Sequence, residues 1–215
     1  PVGGFGFEGS TLFPVEHWWV YDSKEKIHIE ITPLHGDEKF RCYAGIINLD
    51  INDEITTEDL TAILEAARLA PSAFNEQPWR YFVGRKGDEV FTQILAGLGE
   101  FNQKWAKNSS VLLLVCGTKQ RANGDPHPSF QYDLGLSVSQ ATFQAHHLGY
   151  VSHQMTGFNH DSMCKTFDLT TLEPVVVVAI GKQGDADTLP EQMAEREKAK
   201  PSRKALSEIV LKGSL

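Results

Sequence analysis

Apolar residues recur at helical spacing in two long segments of the chain, and this spacing predicts two amphipathic helices. The first segment follows Thr56, where a Thr-x-x-Asp sequence resembles a capping box, and it ends before Pro71. The second segment runs from Leu134 to Leu148, and Gly149 stands where a C-terminal cap belongs. A shorter helix is predicted to carry the apolar residues Val90, Phe91, Ile94 and Leu95.

Other segments alternate between apolar and polar residues or are continuously apolar, and these predict strands. Ile27 to Ile31 alternates, which is typical of a half-exposed strand. Trp79 to Val83 is predicted to be a strand followed by a turn at residues 84–88. Val111 to Cys116 and Pro174 to Ile180 are continuously apolar, which is typical of strands buried on both faces.

The mixture of helices and strands, without an internal repeat, predicts the α+β class. We expect one domain over residues 41–215, with residues 1–40 as an N-terminal extension or arm. Residues 185–201 are polar and charged, which predicts a surface loop or helix. A short terminal packing element is predicted around Leu206, Ile209 and Val210.

Composition and charge narrow the classes of partner and compartment. The net charge is −8, which argues against nucleic acid or an anionic membrane as a partner. The three cysteines form no C-x-x-C pair, so a reducing compartment is expected. The longest apolar run, Val175 to Ile180, is too short to span a bilayer, and the N-terminus has no signal-peptide pattern. We therefore expect a cytoplasmic protein.

Several motifs that could carry chemistry lack the context they need. Residues 4–9 fit G-x-G-x-x-G, but no strand precedes them, as a dinucleotide site requires. His153, His160 and Cys164 match no standard zinc spacing, so no metal site is expected. The chain also has no G-x-S-x-G nucleophile elbow.

The segment from Pro71 to Trp79 gathers hydroxyl and amide side chains after the first predicted helix. Ser72, Asn75 and Gln77 can each donate and accept hydrogen bonds, which suits the edge of a heteroaromatic ring. The same residues are also typical of a turn whose side chains satisfy their own backbone. Both interpretations stay open on physical grounds alone.

Five segments, in order along the chain, resemble motifs of the nitroreductase-like flavoproteins. Any one match is weak, but five in the same order are specific. The family motifs are A-P-S-x-x-N-x-Q-P-W, N-Q-x-W-A, the start of the central helix, H-Q-M-x-G-F and R-K-P-L-x-E-I-V. The similar segments here are residues 70–79, 102–106, 133–135, 153–158 and 203–210.

The resemblance implies a nitroreductase-like fold with a central, mostly antiparallel sheet flanked by helices. It implies a homodimer that binds FMN, uses NAD(P)H as co-substrate and reduces a small electron-poor acceptor by a ping-pong mechanism. A quinone or a nitroaromatic compound is the expected acceptor. Two alternatives stay open: a dehalogenase or flavin-fragmenting member of the family, and a non-catalytic flavin-binding or structural protein with the same fold.

The resemblance also implies roles for individual residues, with no side chain acting as a catalytic acid or base. Ser72, Asn75 and Gln77 correspond to contacts with the ribityl chain and the pyrimidine edge of the flavin. The backbone N–H groups of Met155, Thr156 and Gly157 correspond to contacts with the isoalloxazine ring. Arg203 corresponds to a phosphate ligand. Residues 42–48 contain no arginine where the family has an N-terminal cluster, so Arg41 is expected to assist.

Aromatic residues near these motifs are candidate walls of an acceptor channel. The alternative for each is packing in the core or in a dimer interface. The candidates are Phe101, Trp105, Phe130 and Tyr132. The helix from Leu134 to Leu148 is predicted to lie at a C2 dimer interface, because its residues are uniformly small and apolar.

Overall fold

The computed structural model describes residues 18–22, 27–31, 48–188, 191–198, 202 and 204–213. The chain divides into two units, Pro1–Asp37 and Glu38–Leu215. Two predicted phosphate ligands, Arg41 and Arg203, and the glycine motif at residues 4–9 lie outside the described residues. Within the described part of the chain, no helix is both long enough and apolar enough to cross a bilayer.

The first unit contains two antiparallel strands. β1 is Trp18–Asp22 and β2 is Ile27–Ile31, with Trp18 opposite Ile31 and Asp22 opposite Ile27. The alternating pattern predicted the second of these strands, and that prediction is confirmed.

The second unit is built on a four-stranded sheet in the order β3-β4-β6-β5, with every neighbouring pair antiparallel. The strands are β3 (Trp79–Arg85), β4 (Val111–Thr118), β5 (Val151–Met155) and β6 (Leu172–Gly181). The two continuously apolar segments are the central strands β4 and β6. A central strand covered on both faces needs apolar side chains on both sides, which explains the absence of alternation.

Seven helices lie in the described part of the second unit. They are α1 (Thr57–Arg68), α2 (Glu89–Gly97), α3 (Glu100–Ala106), α4 (Phe130–His147), α5 (His160–Thr166), α6 (Glu191–Lys198) and α7 (Leu206–Ile209). The α+β fold with an antiparallel sheet is therefore confirmed. The sequence pattern predicted α1, α2 and α4, and the polar segment predicted as a surface loop or helix contains α6.

Two hydrophobic cores share the side chains of β4, which alternate between the sheet faces. Val111, Leu113 and Val115 pack with residues of α1 and α4. Leu112, Leu114 and Cys116 pack with residues of α2, α3 and α5. The sheet is therefore covered by a different group of helices on each face, and its edge strands and strand ends are left to carry exposed polar groups.

Capping at α1 links the start of this helix to the end of α4. The Thr56 side chain accepts a hydrogen bond from the Asp59 N–H at 3.0 Å, as the capping-box pattern predicts. The Asp59 carboxylate accepts a hydrogen bond from the Tyr150 hydroxyl at 2.8 Å. Tyr150 directly follows Gly149, whose φ of 79° is the left-handed conformation of a helix C-terminal cap. The predicted cap at Gly149 is confirmed.

One boundary prediction is wrong, and one packing prediction is not met within a single protomer. The predicted turn at residues 84–88 begins too early, because β3 continues through Arg85. Gly84 lies in the strand because α2 approaches closely: a Cβ there would lie 2.5 Å from the backbone N and Cα of Phe91. The predicted packing of the terminal element also fails within one protomer, since Leu206 is 63% exposed and Ile209 is 61% exposed.

Candidate functional site

The structure brings Ser72, Asn75 and Gln77 together in one tight loop between α1 and β3. Ser72 Oγ accepts the Gln77 N–H at 3.0 Å, and the Ser72 carbonyl accepts the Asn75 N–H at 3.0 Å. Gln77 Nε2 donates to the Asn75 carbonyl at 3.2 Å. The loop therefore satisfies part of its own backbone, as the turn interpretation predicted, and still exposes the side chains of Asn75 and Gln77.

This loop adopts a backbone conformation that residues other than glycine seldom adopt. Phe74, Asn75 and Gln77 have φ values of 55°, 57° and 47°. Asn tolerates this conformation, but Phe74 and Gln77 each cost on the order of 1–3 kcal/mol, and the conformation persists only where the surrounding structure determines it. The loop is therefore a strained segment that other parts of the protein hold in place.

Two guanidinium groups flank the loop. Arg121 lies over the ring of Phe74, 4.7 Å from its centroid, and Phe74 itself is 81% exposed. Arg80 donates to the carbonyl of Gln77 at 3.0 Å. The sequence analysis assigned no role to either arginine.

A buried histidine–aspartate pair supports the loop from the side of α4. Asp133 Oδ2 accepts the Ala73 N–H at 3.2 Å and lies 3.1 Å from His127 Nε2. Asp133 and His127 are both buried. The sequence analysis noted Asp133 only as the start of the central helix and missed His127, because no motif links a histidine to an aspartate six residues later.

The end of β5 forms the second predicted group of site residues. The Met155 side chain is buried in the core, so only its backbone can face a ligand. The Gly157 carbonyl accepts hydrogen bonds from the Gly99 N–H at 2.9 Å and from Asn102 Nδ2 at 3.1 Å. Within the described residues, the N–H groups of Thr156 and Gly157 donate to no acceptor. These N–H groups are therefore available to an external acceptor.

Gly157 leaves room for the side-chain amide of Asn102. A Cβ at Gly157 would lie 2.9 Å from Asn102 Nδ2, closer than side-chain carbons normally approach. Asn102 lies in the N-Q-x-W-A segment, to which the sequence analysis gave no individual role. The structure shows that this asparagine anchors the loop after β5.

The two groups of predicted site residues lie at the same end of the sheet, at opposite edges. Trp79 lies opposite Gly117 and Met155 lies opposite Val177, so both loops leave the sheet toward the end at Thr118. The strands β4 and β6 stand between them. Three strand spacings correspond to roughly 14 Å. The fold therefore gathers each group locally and keeps the two groups apart within one protomer.

Ionisable groups occupy the strand ends between these two loops. Glu173 accepts hydrogen bonds from Lys119 Nζ at 3.0 Å and His160 Nε2 at 2.9 Å. Burial alone would raise the pKa of Glu173, but these two hydrogen bonds outweigh burial and lower it. Burial and the charge of Glu173 raise the pKa of the Cys164 thiol, so this cysteine is not an activated nucleophile.

The four aromatic candidates separate into two pairs. Trp105 is buried in the core with its ring centroid 4.8 Å from that of His153, and Phe130 packs over Gly117. For this pair, the alternative of core packing is confirmed. Phe101 is 54% exposed and Tyr132 is 70% exposed, so these two aromatic residues can contact a ligand or a partner chain.

Similar proteins of known sequence and structure show the family to which this chain belongs. The sequence profile of the Nitroreductase family matches residues 48–98. A solved structure described as an oxidoreductase containing FMN is 33% identical, with a TM-score of 0.75, and the match covers 86% of this chain and 94% of that one. The chain belongs to the nitroreductase family.

Further relatives agree with this membership. A nitroreductase family protein from Clostridium difficile 630 is 27% identical with a TM-score of 0.60, over 80% of this chain and 94% of its own. The oxygen-insensitive NADPH nitroreductase of Helicobacter pylori strain J99 is 39% identical over 70 residues, which are 33% of this chain and 32% of that protein. The resemblance noted from the sequence motifs is thus confirmed, and this nitroreductase-family chain has the fold that the resemblance implied.

Proposed function

We propose that this protein is an FMN-dependent oxidoreductase that uses NAD(P)H to reduce a small electron-poor acceptor, such as a quinone or a nitroaromatic compound. The observation that carries the proposal is the strained, exposed loop from Ser72 to Gln77. Residues in such a conformation cluster at ligand sites and active sites. The FMN contained in the 33% identical solved structure supports FMN as the ligand.

The side chains of this loop fit the polar edge of a flavin. Ser72 Oγ accepts the Gln77 N–H, and no described residue accepts the hydroxyl hydrogen of Ser72. The exposed amides of Asn75 and Gln77 offer both donors and acceptors, which suits a ring edge that alternates carbonyl and N–H groups. We assign these three residues to the ribityl chain and the pyrimidine edge.

The loop after β5 offers the complementary groups. The N–H groups of Thr156 and Gly157 have no acceptor within the described residues, and the Gly157 carbonyl is fixed by Gly99 and Asn102. Fixed N–H donors orient a ring nitrogen or oxygen without a side-chain acid or base. We assign the backbone of residues 155–157 to the ring, and Arg203 with Arg41 to the phosphate.

Bound FMN supplies the redox chemistry, because it accepts a hydride from NAD(P)H and returns electrons to an acceptor. The chain then supplies position, electrostatics and exclusion of water. Arg80 and Arg121 place two cationic groups beside the Ser72–Gln77 loop, and these groups can attract an anionic co-substrate such as NAD(P)H. NAD(P)H and the acceptor would react in turn at the site, which is a ping-pong mechanism.

We further propose that the active form is a homodimer. The two groups of site residues lie on opposite edge strands, roughly 14 Å apart at the usual strand spacing, so a second copy is needed to complete each site. On the outer face of α4, Tyr132 is 70% exposed and Phe143 is 37% exposed. These residues are eleven positions apart, or about three helical turns, and therefore lie on one stripe. This stripe is the proposed C2 interface.

The test is titration of the purified protein with FMN, followed by NAD(P)H oxidation in the presence and absence of a quinone. The proposal predicts FMN binding at micromolar concentration or tighter, NAD(P)H oxidation that depends on the quinone, and a dimeric mass by light scattering. Absence of FMN binding at micromolar concentration would contradict it. FMN binding without any NAD(P)H oxidation would favour the non-catalytic alternative.

A further inference from the structure

The buried pair of His127 and Asp133 lies outside the candidate site but is connected to it. Asp133 is in the first turn of α4, and His127 lies in the segment before that helix. Asp133 is 2% exposed and His127 is 1% exposed. Two buried ionisable side chains in contact are costly unless each is hydrogen-bonded.

One oxygen of the Asp133 carboxylate contacts both His127 and the backbone of the loop. Asp133 Oδ2 lies 3.1 Å from His127 Nε2 and 3.2 Å from the backbone nitrogen of Ala73. Ala73 lies between Ser72 and the first left-handed residue, Phe74. The hydrogen bond therefore reaches the loop at the point where its backbone turns into the strained conformation.

Contacts from outside the loop are few, which makes this bond important. Glu76 accepts a hydrogen bond from the Ala122 N–H at 3.1 Å, in an exposed position where water competes. Arg80 and Arg121 also contact the loop, at exposed residues. The Asp133 bond is more buried than these contacts and involves a carboxylate, so it is the strongest restraint among them. The carboxylate is also stabilised by its position in the first turn of α4, where the helix dipole favours negative charge.

We propose that Asp133 is a positioning residue for the FMN-binding loop and that His127 holds its carboxylate in place. The proposal rests on the assignment of Ser72, Asn75 and Gln77 to FMN. Asp133 does not touch the flavin in this account. It fixes the Ala73 N–H and so favours the loop conformation that presents those three side chains.

The main test compares Asp133→Ala, Asp133→Asn and the control variant Ser137→Ala by FMN titration and thermal unfolding. Asp133→Ala leaves the Ala73 N–H and His127 without their shared acceptor, so its Kd for FMN should rise roughly tenfold to a hundredfold. Asp133→Asn keeps an oxygen that can accept both bonds, so its Kd should stay within about threefold of the wild type. Equal Kd values for Asp133→Ala and wild type would overturn the proposal.

Ser137→Ala is the matched control on the same helix. The Ser137 hydroxyl is buried and donates to the Ala67 carbonyl of α1 at 2.9 Å, with no contact to the loop. This variant should lower the melting temperature and leave the Kd for FMN unchanged. A rise in Kd equal to that of Asp133→Ala would show that general loosening of α4 explains the effect, and the proposal would be wrong.

A second measurement needs neither a variant nor FMN. Amide hydrogen exchange in the flavin-free protein should show protection of the Ala73 N–H relative to the Phe74 N–H, which donates to no described acceptor. Equal exchange of the two amides would overturn the proposal even if Asp133→Ala does not fold. If wild-type protein fails to bind FMN but Ala73 is protected, the assignment of FMN is what fails, and the positioning of the loop stands.

Discussion

The hydrogen bond between Asn102 and Gly157 is expected to affect the Kd for FMN, because it holds the loop after β5. Asn102→Ala removes the hydrogen bond from Nδ2 to the Gly157 carbonyl, which is 3.1 Å long and joins two neutral groups in an exposed position. Such a bond contributes about 0.5–1.5 kcal/mol. If the loop must be fixed to offer the Thr156 and Gly157 N–H groups, the Kd for FMN should rise roughly twofold to tenfold.

Gly157→Ala should cause the same loss by a different route. The new Cβ would lie 2.9 Å from Asn102 Nδ2, so the amide must move away and its hydrogen bond is lost. The two substitutions therefore should not add: the double variant should bind FMN about as well as either single variant, because both remove one contact.

The assay is FMN titration of the wild type, both single variants and the double variant. Gln103→Ala is the control, since Gln103 lies beside Asn102 in α3 but donates to the carbonyls of Leu98 and Ala96. Its Kd for FMN should match the wild type. Additive losses in the double variant, or an unchanged Kd in Asn102→Ala, would refute the reasoning that this contact fixes the loop.

Three further predictions concern packing, phosphate binding and pH. Gly84→Ala should lower the free energy of unfolding by about 1–3 kcal/mol in denaturant titration, since its Cβ would meet the Phe91 backbone at 2.5 Å. Arg203→Ala should weaken FMN binding roughly tenfold to a hundredfold, and more so at low salt, whereas a change under about twofold would place the phosphate elsewhere. Burial lowers the pKa of His153 below 6.5. The free energy of unfolding should therefore decrease as the pH falls below 6.5, because the unfolded chain binds a proton there more readily than the folded chain. In His153→Leu, the melting temperature should depend less steeply on pH in this range.

The sequence predicted the parts of the fold that depend on local periodicity. The helix α1 has an amphipathic stripe, and the strands β4 and β6 are continuously apolar. Each of these patterns can be recognised in the sequence without knowing which other elements pack against it. The strand β5 and the helix α3 were missed. β5 has five residues and lies at the sheet edge, and α3 is only seven residues long, so neither repeats a pattern often enough to be recognised.

In the candidate site, too, some residues could be predicted from the sequence and others could not. The order of the five motifs predicted Ser72, Asn75 and Gln77 as site residues, and these residues lie in one loop of the structure. His127 could not be found, because its role arises from a contact with Asp133 that is made only when α4 docks against the loop. Gly84 was taken for a turn residue, since the same residue type serves turns and close approaches of the backbone.

One measurement tests the central claim most directly: anaerobic addition of NAD(P)H to the protein loaded with FMN, followed by addition of a quinone, with the visible absorbance of the flavin recorded throughout. The account predicts that NAD(P)H bleaches the absorbance without any quinone present and that the quinone then restores it. Absorbance that does not change on addition of NAD(P)H would contradict the assignment of this chain as an FMN-dependent oxidoreductase.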